Sequence, residues 1–340
     1  LGQVQKHVVI KNDNSGEEEF LPPLEEITPE TIIKRVAEAG IVGLGGAGFP
    51  TAIKLSPKSP LNVLVINGAE CEPYLTCDFR LLLERTEDIY KGIKLVAKAL
   101  NVSDIVMGIE VNKPEAIEAF GKYDDIKVVP LRKQYPMGSE KHLIYCTTGR
   151  KVPVGKMPFD VGACVQNIKT VIAVYEAVEK NIPLTRTVLT VSGKGIKTPS
   201  NLEVPIGTAF SELIELCGGK SDDTVKIVAG GPMMGKAMGS LNQYTRKTDS
   251  GILCLKHGET SENEPSNCIN CGICAKNCPM RLMPMYIESY AAAGDYENAK
   301  KYGAMNCIEC GLCAYNCPAK RALVQSISAA KQKIREMSKK

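Results

Sequence analysis

The chain has 340 residues, enough for two or three domains, and an ordinary 44% of hydrophobic residues. Charge is nearly balanced, 42 Lys/Arg against 38 Asp/Glu, so nothing global points to nucleic acid or to an acidic substrate. No apolar run reaches the roughly 18 residues of a membrane span. The chain opens on Leu1 rather than Met, without a signal-peptide pattern, which leads us to expect a preceding N-terminal part.

Residues 1–27 hold one strand-like run, 4–10, then an acidic turn and Pro22-Pro23, and read as the remnant of a small β domain. Residues 28–39 read as a helix. Thr28 is placed to cap it, Pro29 fits its first position, Ile32, Ile33, Val36 and Ala37 form one stripe, and Gly40 ends it. A glycine-rich loop spans 43–51. Strand signals at 62–66, 103–109 and 126–130 then alternate with helix signals at 79–100, 114–121, 139–148 and 163–180. This alternation predicts an α/β domain over 28–182 with a largely parallel sheet. From 183 the pattern changes: a strand at 187–191, a turn at 192–195 and a strand at 201–205. A short helix capped by Thr208 follows, with Phe210, Leu213, Ile214 and Cys217 on one face, then a strand at 225–229. That order predicts a β-grasp-like module over 183–245. A polar linker, 256–266, lies within the last segment, 246–340, which is rich in cysteine and ends basic.

Eight of the 14 cysteines stand in two matching runs. Cys268, Cys271, Cys274 and Cys278 precede Pro279; Cys307, Cys310, Cys313 and Cys317 precede Pro318. Both runs have the spacing of a bacterial two-cluster ferredoxin. Three thiolates on a tight loop can cap three corners of a cubane, and the fourth is carried off toward the other cluster. The expected sets are therefore Cys268, Cys271, Cys274 and Cys317 for one [4Fe–4S] cluster, and Cys278, Cys307, Cys310 and Cys313 for the other. Gly272 and Gly311 leave room for N–H groups to approach sulfur. Zinc, the alternative, usually takes two separated CxxC pairs, which two identical runs ending in Cys-Pro do not resemble. The expected domain is thus a ferredoxin-like two-cluster helical unit, working in a reducing compartment. Its insert, 284–303, reads as two helices broken at Gly294-Asp295 that pack over the cluster pair. Cys71, Cys77, Cys146, Cys164, Cys217 and Cys254 read as small buried thiols.

The end of the chain carries Lys320, Arg321, Lys331, Lys333, Arg335, Lys339 and Lys340 against Glu336. Leu323, Ile327, Ile334 and Met337 repeat at helical spacing. The pattern suits either a solvated surface helix or a helix docking a membrane partner or anionic lipid.

Gly43-Leu44-Gly45-Gly46-Ala47-Gly48 satisfies G-x-G-x-x-G, but a helix precedes it where a Rossmann loop follows a strand. Four glycines without charge still suit close approach of backbone to a phosphate or a flat ring. A second glycine motif, 230–236, has the spacing of a P-loop. Ala237 stands where a metal-binding hydroxyl is needed, so that reading is rejected.

The loop Gly43-Leu44-Gly45-Gly46-Ala47-Gly48-Phe49-Pro50-Thr51 with Lys54 resembles the flavin loop of the NADH-binding flavoprotein subunits of respiratory complex I. Asn67-Gly68-Ala69-Glu70-Cys71-Glu72-Pro73 with Asp78 is similar to that family's second flavin segment. The stretch 135–150, with Gly138 and Glu140, and the stretch from Cys164 through Asn167 to Thr170 resemble the third and fourth. That family has Arg at the place of Leu44, Asp at the place of Ala69, and one cluster. The C subunits of Rnf complexes, which are ion-pumping ferredoxin:NAD+ oxidoreductases, resemble nearly the whole chain, second cluster included.

The resemblance implies an α/β FMN/NAD-binding domain, a β-grasp-like (SLBB) module and the two-cluster domain. It implies noncovalent FMN and NAD(H), with Gly43, Gly45, Gly46, Ala47, Gly48, Phe49 and Lys54 against them. Asn67, Asp78 and Asn167 would hydrogen-bond FMN, near Gly138. Glu70 and Glu72 would face the nicotinamide nucleotide, with Glu140 nearby. Phe49 would stack on a ring or else pack in the core. The implied role is a peripheral subunit on the cytoplasmic face of a bacterial membrane. It would exchange hydride between NAD(H) and FMN and single electrons with two clusters, in a complex that oxidises ferredoxin and moves Na+ or H+. The alternatives are a pure electron relay and a soluble NADH-dependent flavoprotein without ion pumping. No nucleic acid partner is implied.

Overall fold

The computed structural model describes residues 10, 11, 13, 15–260 and 263–338. The strand expected over 4–10 lies outside these apart from Ile10. Described residues between 10 and 27 form no strand. They instead lay Leu21, Leu24 and Ile27 on the first core, and Leu21 N–H donates to Asn181 O at 2.8 Å. Arg35 fixes the same strap: its buried guanidinium donates to Pro22 O, Ala177 O and Asn181 Oδ1.

The first helix, α1 (Pro29–Glu38), starts as read. Thr28 Oγ1 accepts from Thr31 N–H while Thr31 Oγ1 accepts from Thr28 N–H, a reciprocal cap. After the glycine loop come α2 (Thr51–Lys54), β1 (Val63–Gly68), α3 (Cys77–Glu84), α4 (Thr86–Leu100), β2 (Ile105–Glu110), α5 (Pro114–Gly121), β3 (Lys127–Leu131), α6 (Glu140–Thr148), β4 (Ala163–Asn167) and α7 (Ile168–Glu179). Two expectations change here. The helix over 79–100 is two helices broken at Arg85, whose side chain pairs with Asp88 and Glu176. The helix over 163–180 begins only at Ile168, because 163–167 is a strand. A strand buried on both faces has no period-two signature and reads like buried helix.

All pairings in this sheet are parallel, in the order β3-β2-β1-β4. Leu64, Ile66 and Met107 face α4 and α7, where Gly92 lets α4 approach so closely that a Cβ would lie 2.0 Å from Val171 O. Val63, Val65 and Val165 face the other way, onto Leu143 and Ile144 of α6.

The second sheet has β5 (Arg186–Ser192), β6 (Ser200–Pro205), β7 (Thr224–Ala229), β8 (Lys236–Met238) and β9 (Gly251–Lys256), in the order β6-β5-β9-β7-β8. It is covered by α8 (Phe210–Leu216), which packs Phe210, Leu213 and Ile214 on Leu189, Val191 and Ile252. The central strand, β9, lies in the stretch expected to belong to the cysteine domain. It is the buried run Ile252, Leu253, Cys254, Leu255 that closes the sheet. Ala209, not Thr208, occupies the cap position of α8; Thr208 Oγ1 donates back to Pro205 O.

The cysteine region forms α9 (Ile273–Lys276), α10 (Pro284–Ala292), α11 (Tyr296–Lys301), α12 (Leu312–Tyr315) and α13 (Leu323–Met337). Leu323, Ile327, Ala330 and Ile334 of α13 are buried, and Ile327 and Ile334 pack with Ile287 and Ala299 of the insert. The docking-helix expectation therefore fails for Leu323, Ile327 and Ile334, which are spent inside the domain, while Met337 at the end of the stripe is exposed. Among the described residues no helix is long and apolar enough to cross a membrane.

Candidate functional site

The two cysteine runs fold as near copies. Asn270 and Glu309 take φ of 54° and 56°, Gly272 and Gly311 72° and 82°, and Arg281 and Lys320 54° and 52°. These left-handed residues curl each run into a loop that enters a one-turn helix, α9 or α12. Two partly open cavities result. The first is lined by Cys268, Cys271, Cys274 and Cys317; the second by Cys278, Cys307, Cys310 and Cys313. The grouping is the one expected, three thiols from one run and the fourth from the other.

Backbone N–H groups of Leu282 and Glu309 point at Cys278 Sγ and Cys307 Sγ, each at 3.4 Å. Burial pushes the Cys313 thiol up to about 12. The cavities differ in exposure. Cys268 and Cys271 of the first are exposed and Ile269 is 64% exposed beside them, whereas Cys310 and Cys313 of the second are buried.

The flavin-type segments meet at the carboxyl ends of β1 and β4. The chain runs from β1 outward to β3 and returns to β4 on the other side of β1, so the crevice between β1 and β4 is the switch point of the sheet. Asn67 and Asn167 are register partners there. Asn167 caps α7, accepting from Lys169 N–H at 2.9 Å, and its Nδ2 donates to Asp78 Oδ2 at 2.8 Å. Asn67 Nδ2 donates to Gly138 O at 2.9 Å. A Cβ on Gly138 would lie 2.8 Å from Ala69 O.

The glycine loop closes on itself through Gly43 N–H to Phe49 O at 2.8 Å and is tied down by Leu44 N–H to Thr170 Oγ1 at 3.0 Å. Gly45 sits on Asn167, with room for a Cβ only 3.2 Å from its Cβ. Gly46 has φ +104° and open space where a side chain would project, so the loop offers bare backbone there. Phe49 is 39% exposed, not core. Lys54 reaches Glu140 at 2.9 Å and Val165 O at 3.2 Å. The bare loop and the amide and carboxylate side chains around it fit a flavin nucleotide.

The two glutamates expected to face a dinucleotide are held differently. Glu70 accepts from Asp78 N–H at 2.9 Å and Phe79 N–H at 3.1 Å, supplying the cap that Thr76 does not give α3. Burial, with Asp78 beside it, raises the Glu70 carboxyl to about 7. Glu72 turns toward the loop 230–236 and accepts from Met233 N–H at 3.1 Å and Met234 N–H at 2.8 Å.

Several participants escaped the sequence reading. Thr170 and buried Lys169, which lies 3.6 Å from Asp78, directly follow Asn167 in a segment already singled out. Lys113 donates to Glu70 O at 3.2 Å and pairs with Glu110 at 2.7 Å, with no local signal to mark it. Cys146 is exposed rather than buried.

Comparison with known proteins agrees with this geometry. The Nuo51 FMN-binding domain family matches residues 36–176, the SLBB domain family 188–237 and the 4Fe-4S dicluster domain family 267–321. In one chain these define an electron-transfer protein of the FMN and iron–sulfur class. The C subunit of the proton-translocating ferredoxin:NAD(+) oxidoreductase complex of Clostridium ljungdahlii is 45% identical over 98% of this chain and 75% of its own length. The C subunit of the ion-translocating oxidoreductase complex of Rhodobacter capsulatus is 48% identical over 94% of this chain and 64% of its own. The Na(+)-translocating counterpart of Acetobacterium woodii is 44% identical over 92% and 72%. The chain belongs to this family of C subunits of ion-translocating ferredoxin:NAD+ oxidoreductase complexes. A solved chain of an H2-reduced NAD+-reducing [NiFe]-hydrogenase shares the fold, with TM-score 0.62 and 18% identity over 90% of this chain and 63% of that one.

Proposed function

We propose that this chain is the NAD(H)-handling electron-transfer subunit of a membrane-bound ferredoxin:NAD+ oxidoreductase complex. It would sit peripherally on the cytoplasmic face, with other subunits, and through them ferredoxin, as partners and with Na+ or H+ movement coupled in the complex. Bound FMN supplies what the side chains lack, exchange of hydride on one side and of single electrons on the other. Gly43, Gly45, Gly46, Ala47 and Gly48 would hold its flat and phosphate parts, and Asn67, Asp78 and Asn167 would orient it. Phe49, which is exposed, and Glu140, paired with Lys54, would face the dinucleotide.

One observation carries the reading. Tyr135, in the third flavin-type segment, donates to the backbone oxygen of the cavity ligand Cys310 at 2.7 Å. His142 Nε2 lies 3.4 Å from Pro279 O, beside Cys278 of the same set. The four thiols at 278, 307, 310 and 313 are therefore the inner set, against the flavin-type crevice. Those at 268, 271, 274 and 317 are the outer set, and their exposed edge is where a partner would exchange electrons. Iron, sulfide and flavin analysis of the purified chain tests this, with anaerobic NADH titration. About eight iron per chain, one FMN, and bleaching of the clusters by NADH are expected. Zinc in place of iron, or no flavin, would overturn it.

A further inference from the structure

The loop 230–236 looks like a phosphate loop in sequence, and it does hold an anion, but the anion is the protein's own. It joins β7 to β8, and its tight glycine turn aims consecutive N–H groups, those of Met233 and Met234, at the Glu72 carboxylate. Consecutive amides arranged this way form a concave anion cradle. The fit leaves no slack. A Cβ on Gly231 would lie 2.2 Å from Glu72 Oε2, and one on Gly311 2.5 Å from Met233 O. Gly311 belongs to the loop between Cys310 and Cys313. Tyr135 completes the contact, its hydroxyl 3.5 Å from Glu72 Oε1 and 2.7 Å from Cys310 O.

We propose that Glu72, Tyr135 and the loop 230–236 form a latch that holds the inner cysteine loop on the flavin-type crevice, so that Glu72 is a positioning residue of this junction and not a ligand of the dinucleotide. Three segments far apart in the chain meet here: the second flavin-type segment, the SLBB hairpin and the inner four-thiol loop. Each is fixed through the other two. Both Glu72 oxygens are occupied by the latch, one accepting from Met233 N–H and the other from Met234 N–H, while the Tyr135 hydroxyl gives its one proton to Cys310 O. The SLBB module thereby acquires a role, as the spacer that sets how closely cysteine loop and crevice approach. The inference rests on the proposed function for what is to be placed at the two sides; the latch itself stands on contacts of this chain alone.

The test uses the full chain carrying its flavin and clusters, with Glu72→Ala, Glu72→Gln and Tyr135→Phe. Hydrogen–deuterium exchange is followed at 231–236 and 307–313, beside NADH affinity and the stopped-flow rate of inner-cluster reduction by NADH. Glu72→Ala is expected to speed exchange in both segments about tenfold or more, since two charge-assisted hydrogen bonds go. It should slow inner-cluster reduction with NADH affinity and FMN content unchanged. Glu72→Gln keeps an acceptor oxygen and should recover part of the protection, and Tyr135→Phe should free 307–313 more than 231–236. Weakened NADH binding with exchange unchanged would make Glu72 a dinucleotide ligand and overturn the proposal, as would no change in either. A wild-type chain without flavin or iron would sink the proposed function instead, while the exchange measurement on that same chain would still decide the latch.

Discussion

Gly46 shows most directly how one residue keeps the glycine loop bare. Its φ of +104° is unfavourable for any β-branched side chain, and the space its Cβ would enter is the open side of the loop. Gly46→Val is expected to strain the loop by about 1–3 kcal/mol and to obstruct the crevice, so that FMN is lost on desalting while cluster absorbance stays. A variant that keeps its flavin absorbance through desalting would count against this site. Glu70 gives a pH prediction. Burial and Asp78 hold its folded pKa near 7, above the ordinary 4.5. Its protonated form is therefore favoured by folding. That contribution is full below about pH 4.5 and is lost as pH rises through about 7. Chemical denaturation at about pH 5 and about pH 8 should show wild type losing about 2 kcal/mol more than Glu70→Gln. Equal losses would show that the Asp78 and Phe79 N–H groups fully offset the burial. Asn67, Asp78 and Asn167 were singled out through the family resemblance, and the structure joins Asn167 to Asp78 and Asn67 to Gly138. The partners of Glu72 were not legible, because Met233 and Met234 contribute only main-chain N–H groups, which no side-chain pattern records.

Among strands buried on both faces, β1 and β2 were legible and β4 and β9 were not. The amphipathic α1 stands where its stripe puts it, with Thr28 and Pro29 marking its start, and α5 covers the range read for it. The strands β4 and β9 were misread or missed; Ala163–Asn167 and Gly251–Lys256 are buried almost throughout and lack alternation. The last helix, α13, was read as amphipathic, with its apolar stripe left to solvent or to a docking partner, and neither alternative was the neighbour it has. Its stripe packs on α10 and α11, and Lys331 turns inward to donate to Cys307 O at 2.7 Å and to pair with Glu309. Ile327 is fully buried at the centre of this contact. Ile327→Ala should destabilise the cluster domain by about 2–5 kcal/mol, measured by chemical denaturation. A change below about 0.5 kcal/mol, the usual range for surface positions, would restore the view of α13 as an external docking helix.

At the scale of the molecule, three folded units contribute to one junction. The parallel sheet offers the crevice at its switch point, the SLBB sheet inserts its β7–β8 hairpin beside it, and the cysteine domain lays its inner loop on that hairpin. The order of units was legible from the change of pattern near 183 and from the cysteine spacing. Their mutual placement was not, since it depends on contacts such as Tyr135 with Cys310 that span the chain. The crossed lining of the two cavities has its own consequence. Cys317 closes the set begun by the first run, and Cys278 closes the set begun by the second. Each run lends its last sulfur to the other's cavity, so damage to either run touches both.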